Sequence, residues 1–147
     1  MSPKWRPDDS FLSLEGGKIK GVTRVKDALK KAGVRGGSRI VTSRDKGLDA
    51  TRADLKRTRM PKGFQQWQLP VALGPEKNVL AFMTVAEPDA ELPEHSHGVE
   101  LFRVIVSGSV FYKDIELTTG HWMHVPKDAS YALKAGPTGA IICHVYW

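Results

Sequence analysis

The sequence predicts an all-β fold, an antiparallel barrel or sandwich at residues 64–147. A basic extension at residues 1–63 precedes it and carries one or two short helices. Two observations lead to this prediction. From residue 64 onward, short runs rich in β-branched and aromatic residues alternate with turn residues, which is typical of antiparallel sandwiches and barrels. Before that point lie the helical periodicity and most of the positive charge.

The composition is ordinary for a soluble globular protein. The 147 residues suffice for one domain with a real core, and the hydrophobic content of 41% and charged content of 26% are typical of that class. The single cysteine, Cys143, excludes an internal disulfide and favours a reducing compartment. No stretch is apolar over the length of a signal peptide or a membrane span. We therefore expect a cytoplasmic protein without a membrane partner.

The charge is divided unevenly along the chain. Residues 1–66 contain 17 Lys and Arg against 7 Asp and Glu, whereas residues 67–147 contain 5 against 9, so balances of +10 and −4 give the net +6. Such a division indicates two parts with different roles. The basic part either packs on the acidic part, in the same chain or in the second subunit of a homodimer, or it binds nucleic acid. We favour packing over nucleic-acid binding, because the basic residues are scattered and few aromatic residues accompany them. A homodimer is expected, because packing of the extension across it would close exposed sheet edges.

Within the extension, the clearest element is a short helix. Thr23 is a plausible N-cap and Gly33 stands where a C-terminal glycine belongs. Residues 18–22 are predicted to form a short edge strand, residues 39–42 a strand, and residues 48–60 either a weaker helix or a mobile loop. The apolar face of the clearest helix follows the i, i+3, i+4, i+7 rule at Val25, Ala28, Leu29 and Ala32.

In the β-rich part, seven runs are predicted to be strands, each bounded by turn residues such as Ser107-Gly108 and Gly136-Pro137. The runs are residues 66–69, 78–85, 100–106, 110–115, 121–125, 130–133 and 140–147.

Two histidines, His95 and His97, are separated by Ser96 and lie on the run-in to the 100–106 run. Because side chains alternate along a strand, both are expected to point the same way. Neutral imidazole is a good ligand for divalent transition metals, and two imidazoles so placed can hold one ion. The spacing therefore predicts a metal pocket inside the β-structure, with Glu100 as a candidate carboxylate.

These residues resemble the two motifs of the cupin superfamily, G-x5-H-x-H-x(3,4)-E-x6-G and G-x5-P-x-G-x2-H. Residues 93–108 correspond to the first motif and residues 120–131 to the second, and the resemblance covers roughly residues 67–147. It implies a cupin-type antiparallel β-barrel, a jelly roll. It also implies a metal held by the two first-motif histidines, the glutamate and the second-motif histidine.

The sequence departs from the motifs at two positions. Glu100 comes one residue early, and Leu101 occupies the position of the carboxylate ligand; a bulge near Gly98 would bring Glu100 back to the metal. Tyr131 stands in place of the second-motif histidine. It is expected to coordinate the metal, to hydrogen-bond a substrate or metal-bound water, or to line the barrel.

Other residues offer alternatives for the site. A third histidine, namely His124, His144 or His121, is a candidate to complete a site with His95 and His97. Arg103 has the same parity as that pair. It therefore faces the pocket if there is no bulge, where it would recognise a carboxylate, and faces solvent if there is one.

The resemblance implies a metal-dependent enzyme with a small-molecule substrate that Tyr131, Arg103 and Glu100 would meet. Three protein ligands leave metal positions open, and two histidines with one carboxylate suit Fe(II) oxygen chemistry. We expect an oxygenase acting on a small organic acid or dicarbonyl compound, with Fe as the metal, or else Mn, Ni, Cu or Zn. The alternatives are a metal-dependent isomerase or lyase and a non-catalytic cupin that binds a small ligand.

Overall fold

The computed structural model describes residues 5–34, 40–70 and 79–146, and the elements below belong to these ranges. The chain forms a mostly antiparallel β-structure with two short α-helices near its start. In chain order the elements are a 3-10 turn Ser10–Leu12, β1 Leu14–Glu15, β2 Lys18–Ile19, α1 Lys20–Lys31, α2 Thr51–Asp54, β3 Phe64–Leu69, β4 Leu80–Ala86, β5 Glu91–His95, β6 Leu101–Tyr112, β7 Ile115–Thr118, β8 Trp122–Val125 and β9 Tyr131–Tyr146.

Strands β3 to β9 form two layers that share their longest strands, β6 and β9. One layer contains β3, β4, the C-terminal half of β9, the N-terminal half of β6, and β8. The other contains β5, the N-terminal half of β9, the C-terminal half of β6, and β7. Strands that pass from one layer to the other through bulges make the corners of such folds. Among the described residues the sheet is not closed into a full ring.

Glycines make the corner where β6 and β9 cross between the layers. The pairing of β6 with β9 jumps from Gly108↔Ala140 to Val110↔Ala135, so residues 136–139 of β9 form the bend. Gly108 has φ +70, and a Cβ there would lie 2.1 Å from the carbonyl oxygen of Gly139. Only glycine allows this backbone conformation and this close approach together.

The turns predicted at Ser107-Gly108 and Gly136-Pro137 are therefore wrong. Both pairs lie inside long strands, where they bend β6 and β9 instead of ending them. The sequence analysis also did not predict strand β5, because residues 91–95 contain a proline and two glutamates and lack β-branched residues.

The predicted helix of the extension is present as α1 and begins earlier than expected. Thr23 lies within its first turns and is not the N-cap; Ile19 occupies that position, without a side-chain cap. The predicted end is confirmed. Gly33 has φ +73, its N–H donates to Lys30 O, and the Val34 N–H donates to Leu29 O. This pair of hydrogen bonds satisfies carbonyls at the helix end and needs a residue with positive φ.

The other predictions for the extension hold only in part. The 18–22 edge strand is reduced to the two residues of β2, and the 48–60 helix to the single turn of α2. Residues 40–42 form no strand, and residue 39 lies outside the described residues. In the described part of the chain, no helix has both the length and the apolarity to cross a membrane.

The extension lies against the β-structure of its own chain. Phe11 packs on Phe82 and Tyr146, with ring centroids 4.9 and 5.6 Å away. The backbone of residues 55–57 follows the outer edge of β3: the Gln68 N–H donates to Leu55 O, and the Arg57 N–H donates to the carbonyl oxygen of Gln66. A small core of its own holds α1 to the segment that follows, and consists of Val25, Ala28, Leu29, Val34, Leu48 and Leu55.

Candidate active site

The first histidine of the predicted pair, His95, ends β5 and faces the interior because of a bulge. Leu92 pairs with Leu133 of β9, but His95 pairs with Tyr131, so β5 contains one extra residue between these two pairs. The extra residue shifts the alternation by one position, and His95 thereby joins Leu92 on the buried face. His95 and Tyr131 are thus direct cross-strand neighbours.

The second histidine, His97, follows in the loop between β5 and β6 and is 4% exposed. Its carbonyl oxygen accepts a hydrogen bond from the Asp128 N–H, which fixes the loop against the turn before β9. The two imidazole rings lie 4.9 Å apart edge to face. Both reach the same phenolic oxygen: Tyr131 Oη is 3.0 Å from His95 Nε2 and 3.3 Å from His97 Nε2.

The hydrogen-bond network assigns the tautomers of both histidines. His95 Nδ1 lies 2.6 Å from Pro93 O, and His97 Nδ1 lies 3.2 Å from Asp9 Oδ1, so both Nδ1 atoms are the donors. Both Nε2 atoms therefore carry lone pairs directed at the Tyr131 hydroxyl. The phenol has a single proton, so it can donate to only one of the two imidazoles at a time.

Arg103 completes this cluster from β6. It is 5% exposed, and its Nη2 donates a 2.5 Å hydrogen bond to Tyr131 Oη. Its Nε has no hydrogen-bond partner within the described part of the chain. Burial, assisted by His97 and Arg103, lowers the pKa of His95 to about 4, so its imidazole is neutral at pH 7.

Glu100 and His124 lie outside the cluster, contrary to the prediction that they hold the metal. Glu100 lies in residues 96–100, the loop between β5 and β6, so strand alternation does not turn it toward the metal, and β6 keeps one register with β9 from Leu101 to Ile105. Leu101 and Arg103 consequently point inward. Glu100 instead lies 3.6 Å from His124 Nε2 at the surface, with both side chains more than 40% exposed.

Two further histidines are also placed apart from the pair. His121 is exposed, and its Nδ1 accepts a hydrogen bond from the Thr118 N–H in the turn before β8. His144 is fully buried and stacks on Phe82, and burial holds its pKa well below the ordinary value. Its Nε2 lies 3.5 Å from the amide nitrogen of Gln66, so His144 belongs to a neighbouring polar group.

The donor set does not fit the predicted three-ligand metal centre. Among residues 5–34, 40–70 and 79–146, no group of three or more His, Cys, Asp or Glu side chains is arranged to hold a metal ion. His95 and His97 supply two nitrogens, but the next oxygen is that of Tyr131, which already accepts from the Arg103 cation. A fixed positive charge beside a candidate ligand opposes binding of a divalent cation.

The cluster lies at a small cavity that the extension covers. The cavity has a volume of about 20 Å³, enough for about one water molecule, and Trp5, Pro7, Met60 and Arg57 line it together with the histidines. The Trp5 ring stands edge-on to His95 at 5.1 Å. Residues 5–9 have no regular secondary structure.

Sequence reasoning missed several residues that the structure brings to this site. Asp9, Arg57 and Trp5 belong to the extension, which matches no part of the motifs, and nothing in their local pattern marks them. Gln66 lies on β3, where its Nε2 donates to Thr84 Oγ1 at 2.8 Å and its Oε1 accepts from Arg57 at the same distance. The signal for Gln66 was a polar residue at an inward-facing position of a strand, which is informative when the residue is buried.

Comparison with solved structures shows which fold this is. The chain is similar to the polyketide cyclase RemF from Streptomyces resistomycificus, with a TM-score of 0.54, 17% identity and coverage of 75% of this chain and 79% of that one. It is similar to KdgF from a Halomonas species, with a TM-score of 0.51, 14% identity and coverage of 62% and 84%. It is also similar to a cupin-like protein from Thermotoga maritima, with a TM-score of 0.50, 19% identity and coverage of 56% and 67%.

These identities support a conclusion about the fold alone. The protein has a cupin fold, so the all-β, jelly-roll prediction is confirmed. No protein-family model and no curated protein matches the sequence.

Proposed function

We propose that this protein is a cupin-fold enzyme that transfers a proton on a small carbonyl compound, in the manner of an isomerase or a lyase. The observation that carries the proposal is the convergence of His95 Nε2, His97 Nε2 and Arg103 Nη2 on the hydroxyl of Tyr131. Two proton acceptors and one buried cation around one phenol form an acid–base site at a cavity.

Tyr131 is the proposed acid. It accepts from the Arg103 guanidinium, which stabilises negative charge on the phenolic oxygen and on any substrate oxygen beside it. When a carbonyl compound enters, the phenol exchanges its hydrogen bond to His95 for one to the carbonyl oxygen. That oxygen gains negative charge as an enolate forms.

His97 is the proposed base. Its Nε2 takes a proton from the carbon next to the carbonyl, and the electron pair of the broken C–H bond moves into the enolate. Asp9 holds the Nδ1–H and stabilises the imidazolium that results, as a carboxylate does behind a catalytic histidine. Return of the proton to another carbon gives an isomer, and loss of a leaving group from the β-carbon gives elimination.

The predicted oxygenase activity needs a redox metal, and the donor set of the cluster does not fit such a metal. Metal dependence stays a prediction that chelation tests.

Hydrogen–deuterium exchange tests the proton transfer without knowledge of the physiological substrate. Pyruvate and its uncharged isostere pyruvamide have the same shape and carry exchangeable methyl protons. We expect the protein to accelerate their exchange in D₂O, followed by ¹H NMR, in the presence of EDTA. Tyr131→Phe should lower the rate about 100-fold, since positioned acids and bases contribute about 10²–10⁴-fold.

Tyr112→Phe is the matched control, because Tyr112 ends β6 and does not line the cavity; it should exchange at the wild-type rate. If neither compound exchanges faster than without protein, or if Tyr131→Phe equals wild type, the proposal is wrong. If exchange stops in EDTA and returns with Fe(II) or another transition metal, the metal-dependent prediction is supported instead.

A further inference from the structure

Two arginines from different parts of the chain line the cavity at the candidate active site. Arg103 comes from β6 and Arg57 from the extension, just after α2. The guanidinium of Arg57 lies over the rings of Phe11 and Phe82, 4.5 and 5.5 Å from their centroids. Strand β6 and the extension thus each place one cation at the same small cavity.

Neither guanidinium has a carboxylate partner among the described residues. Arg57 Nη1 donates to Gln66 Oε1 at 2.8 Å and its Nη2 to the carbonyl oxygen of Asp8, both uncharged acceptors. Arg103 donates to Tyr131, and its Nε is unpaired. An arginine that is removed from water usually has a carboxylate or phosphate partner, because an unpaired buried charge is costly.

The other groups around the cavity do not neutralise these cations. His95 is a neutral imidazole, and burial raises the pKa of Tyr146, which keeps its phenol neutral. Asp8 and Asp9 are the nearby carboxylates, and their charge partly offsets the lowering of the Arg57 pKa by burial. Both are partly exposed at the rim, where Asp9 accepts from His97, and within the described residues neither forms an ion pair with Arg57. The interior of the site therefore carries two positive charges and lacks an interior negative one.

We propose that the site binds a small organic carboxylate, held by Arg57 and Arg103, so that the extension supplies half of the substrate recognition. Guanidinium groups bind planar carboxylates through paired hydrogen bonds, and each arginine has N–H donors left for this. The statement that this carboxylate is the substrate rests on the proposed function. The binding itself does not depend on turnover.

Access to this site requires movement of the covering segment. A volume of about 20 Å³ holds about one water molecule, so a carboxylate with a carbon chain enters only when Trp5 and Pro7 move away. Trp5 and Pro7 belong to no helix or strand, and their movement breaks the 3.0 Å hydrogen bond from Trp5 Nε1 to Arg59 O, while Asp8 and Asp9 keep their hydrogen bonds to Arg57 and His97.

The unpaired Nε–H of Arg103 provides a direct reporter of binding. In protein labelled with ¹⁵N-arginine, this resonance is assigned by its loss in Arg103→Lys. We expect pyruvate to shift it saturably, and pyruvamide, its uncharged isostere, at the same concentration to leave it in place. Sodium chloride at matched ionic strength controls for screening.

Arg57→Gln should weaken pyruvate binding at least tenfold, and Arg57→Lys, which keeps the charge, should weaken it less. Arg44→Gln removes an exposed arginine of the same extension and should bind like wild type. Circular dichroism of each variant shows that it is folded. Equal binding by Arg57→Gln and wild type, or equal shifts by pyruvate and pyruvamide, would refute the carboxylate site.

The two proposals fail separately. Exchange of pyruvamide protons without a pyruvate-induced shift would leave the acid–base function standing and remove the carboxylate site. A specific pyruvate shift without exchange of either compound would do the reverse, and would leave a non-catalytic protein that binds a carboxylate.

Discussion

The stability of the protein should fall as the pH is lowered from 7 to 5, because His95 is buried as a neutral imidazole. Its pKa is about 4 in the folded chain, against 6.5 for an unperturbed histidine. Between these two values the unfolded chain binds a proton that the folded chain does not. The stabilisation is therefore complete above pH 6.5 and is lost as the pH falls toward 4.

The magnitude follows from the difference between the two pKa values. A shift of about 2.5 units corresponds to about 3 kcal/mol over the whole range, of which about 2 kcal/mol is lost by pH 5. This is a sizeable part of the roughly 5–15 kcal/mol that a domain of this kind has. His144 changes stability in the same direction, so the contribution of His95 has to be isolated.

Urea denaturation at pH 7, 6 and 5 in EDTA measures this effect, with His95→Asn as the comparison. Asparagine retains a donor for the carbonyl oxygen of Pro93 but does not titrate. Wild type should lose about 2 kcal/mol more than the variant between pH 7 and pH 5. Parallel curves for the two proteins would show that His95 is not held neutral by burial, and the reasoning about its environment would fail.

Three further predictions test other parts of the structure. A double-mutant cycle of Tyr131→Phe and Arg103→Met, read by urea denaturation, should give a coupling of about 2 kcal/mol, since a hydrogen bond to a charged group is removed; a coupling near zero argues against that bond. Gly108→Ala should destabilise by about 3 kcal/mol or more, because its Cβ would meet the Gly139 carbonyl at positive φ; an unchanged urea midpoint is the contrary result. Trp5→Ala should speed solvent exchange of the Arg103 Nε–H at least tenfold in NMR, and an unchanged rate would show that Trp5 does not cover the site.

The sequence was sufficient to predict the parts of this site that depend on local alternation and spacing. Tyr131 and Arg103 face the interior because each lies at an inward position of its strand, and His95 joins them through the bulge in β5. One regular register cannot turn both Glu100 and Arg103 inward, so parity left those two residues as alternatives. The start of β6 at Leu101 leaves Glu100 in the loop before it, and no single stretch of sequence reveals that boundary.

The remaining parts of the site could not be predicted because they depend on distant contacts. Asp9 precedes His97 by 88 residues in the sequence, yet its side chain contacts the His97 ring. Arg57 lies at the cavity only because its backbone follows the edge of β3. The bulge before His95 could not be predicted from the sequence pattern either. A regular strand from Leu92 would have turned Glu94 inward and His95 outward, so the correct expectation that His95 faces the pocket depended on an irregularity that the sequence pattern does not show.

The division of the chain at residue 64 remains a prediction from composition. The candidate site contains residues from both sides of this boundary. Trp5, Asp9 and Arg57 on one side of this boundary face His95, His97 and Arg103 on the other. The positive charge of the extension, which was expected to pack on the acidic part, therefore has at least one half-buried member, Arg57, at the cavity. Without the extension, the chain would keep the proposed acid Tyr131 and the proposed base His97. It would lose the carboxylate behind the proposed base and one of the two cations proposed to bind the substrate.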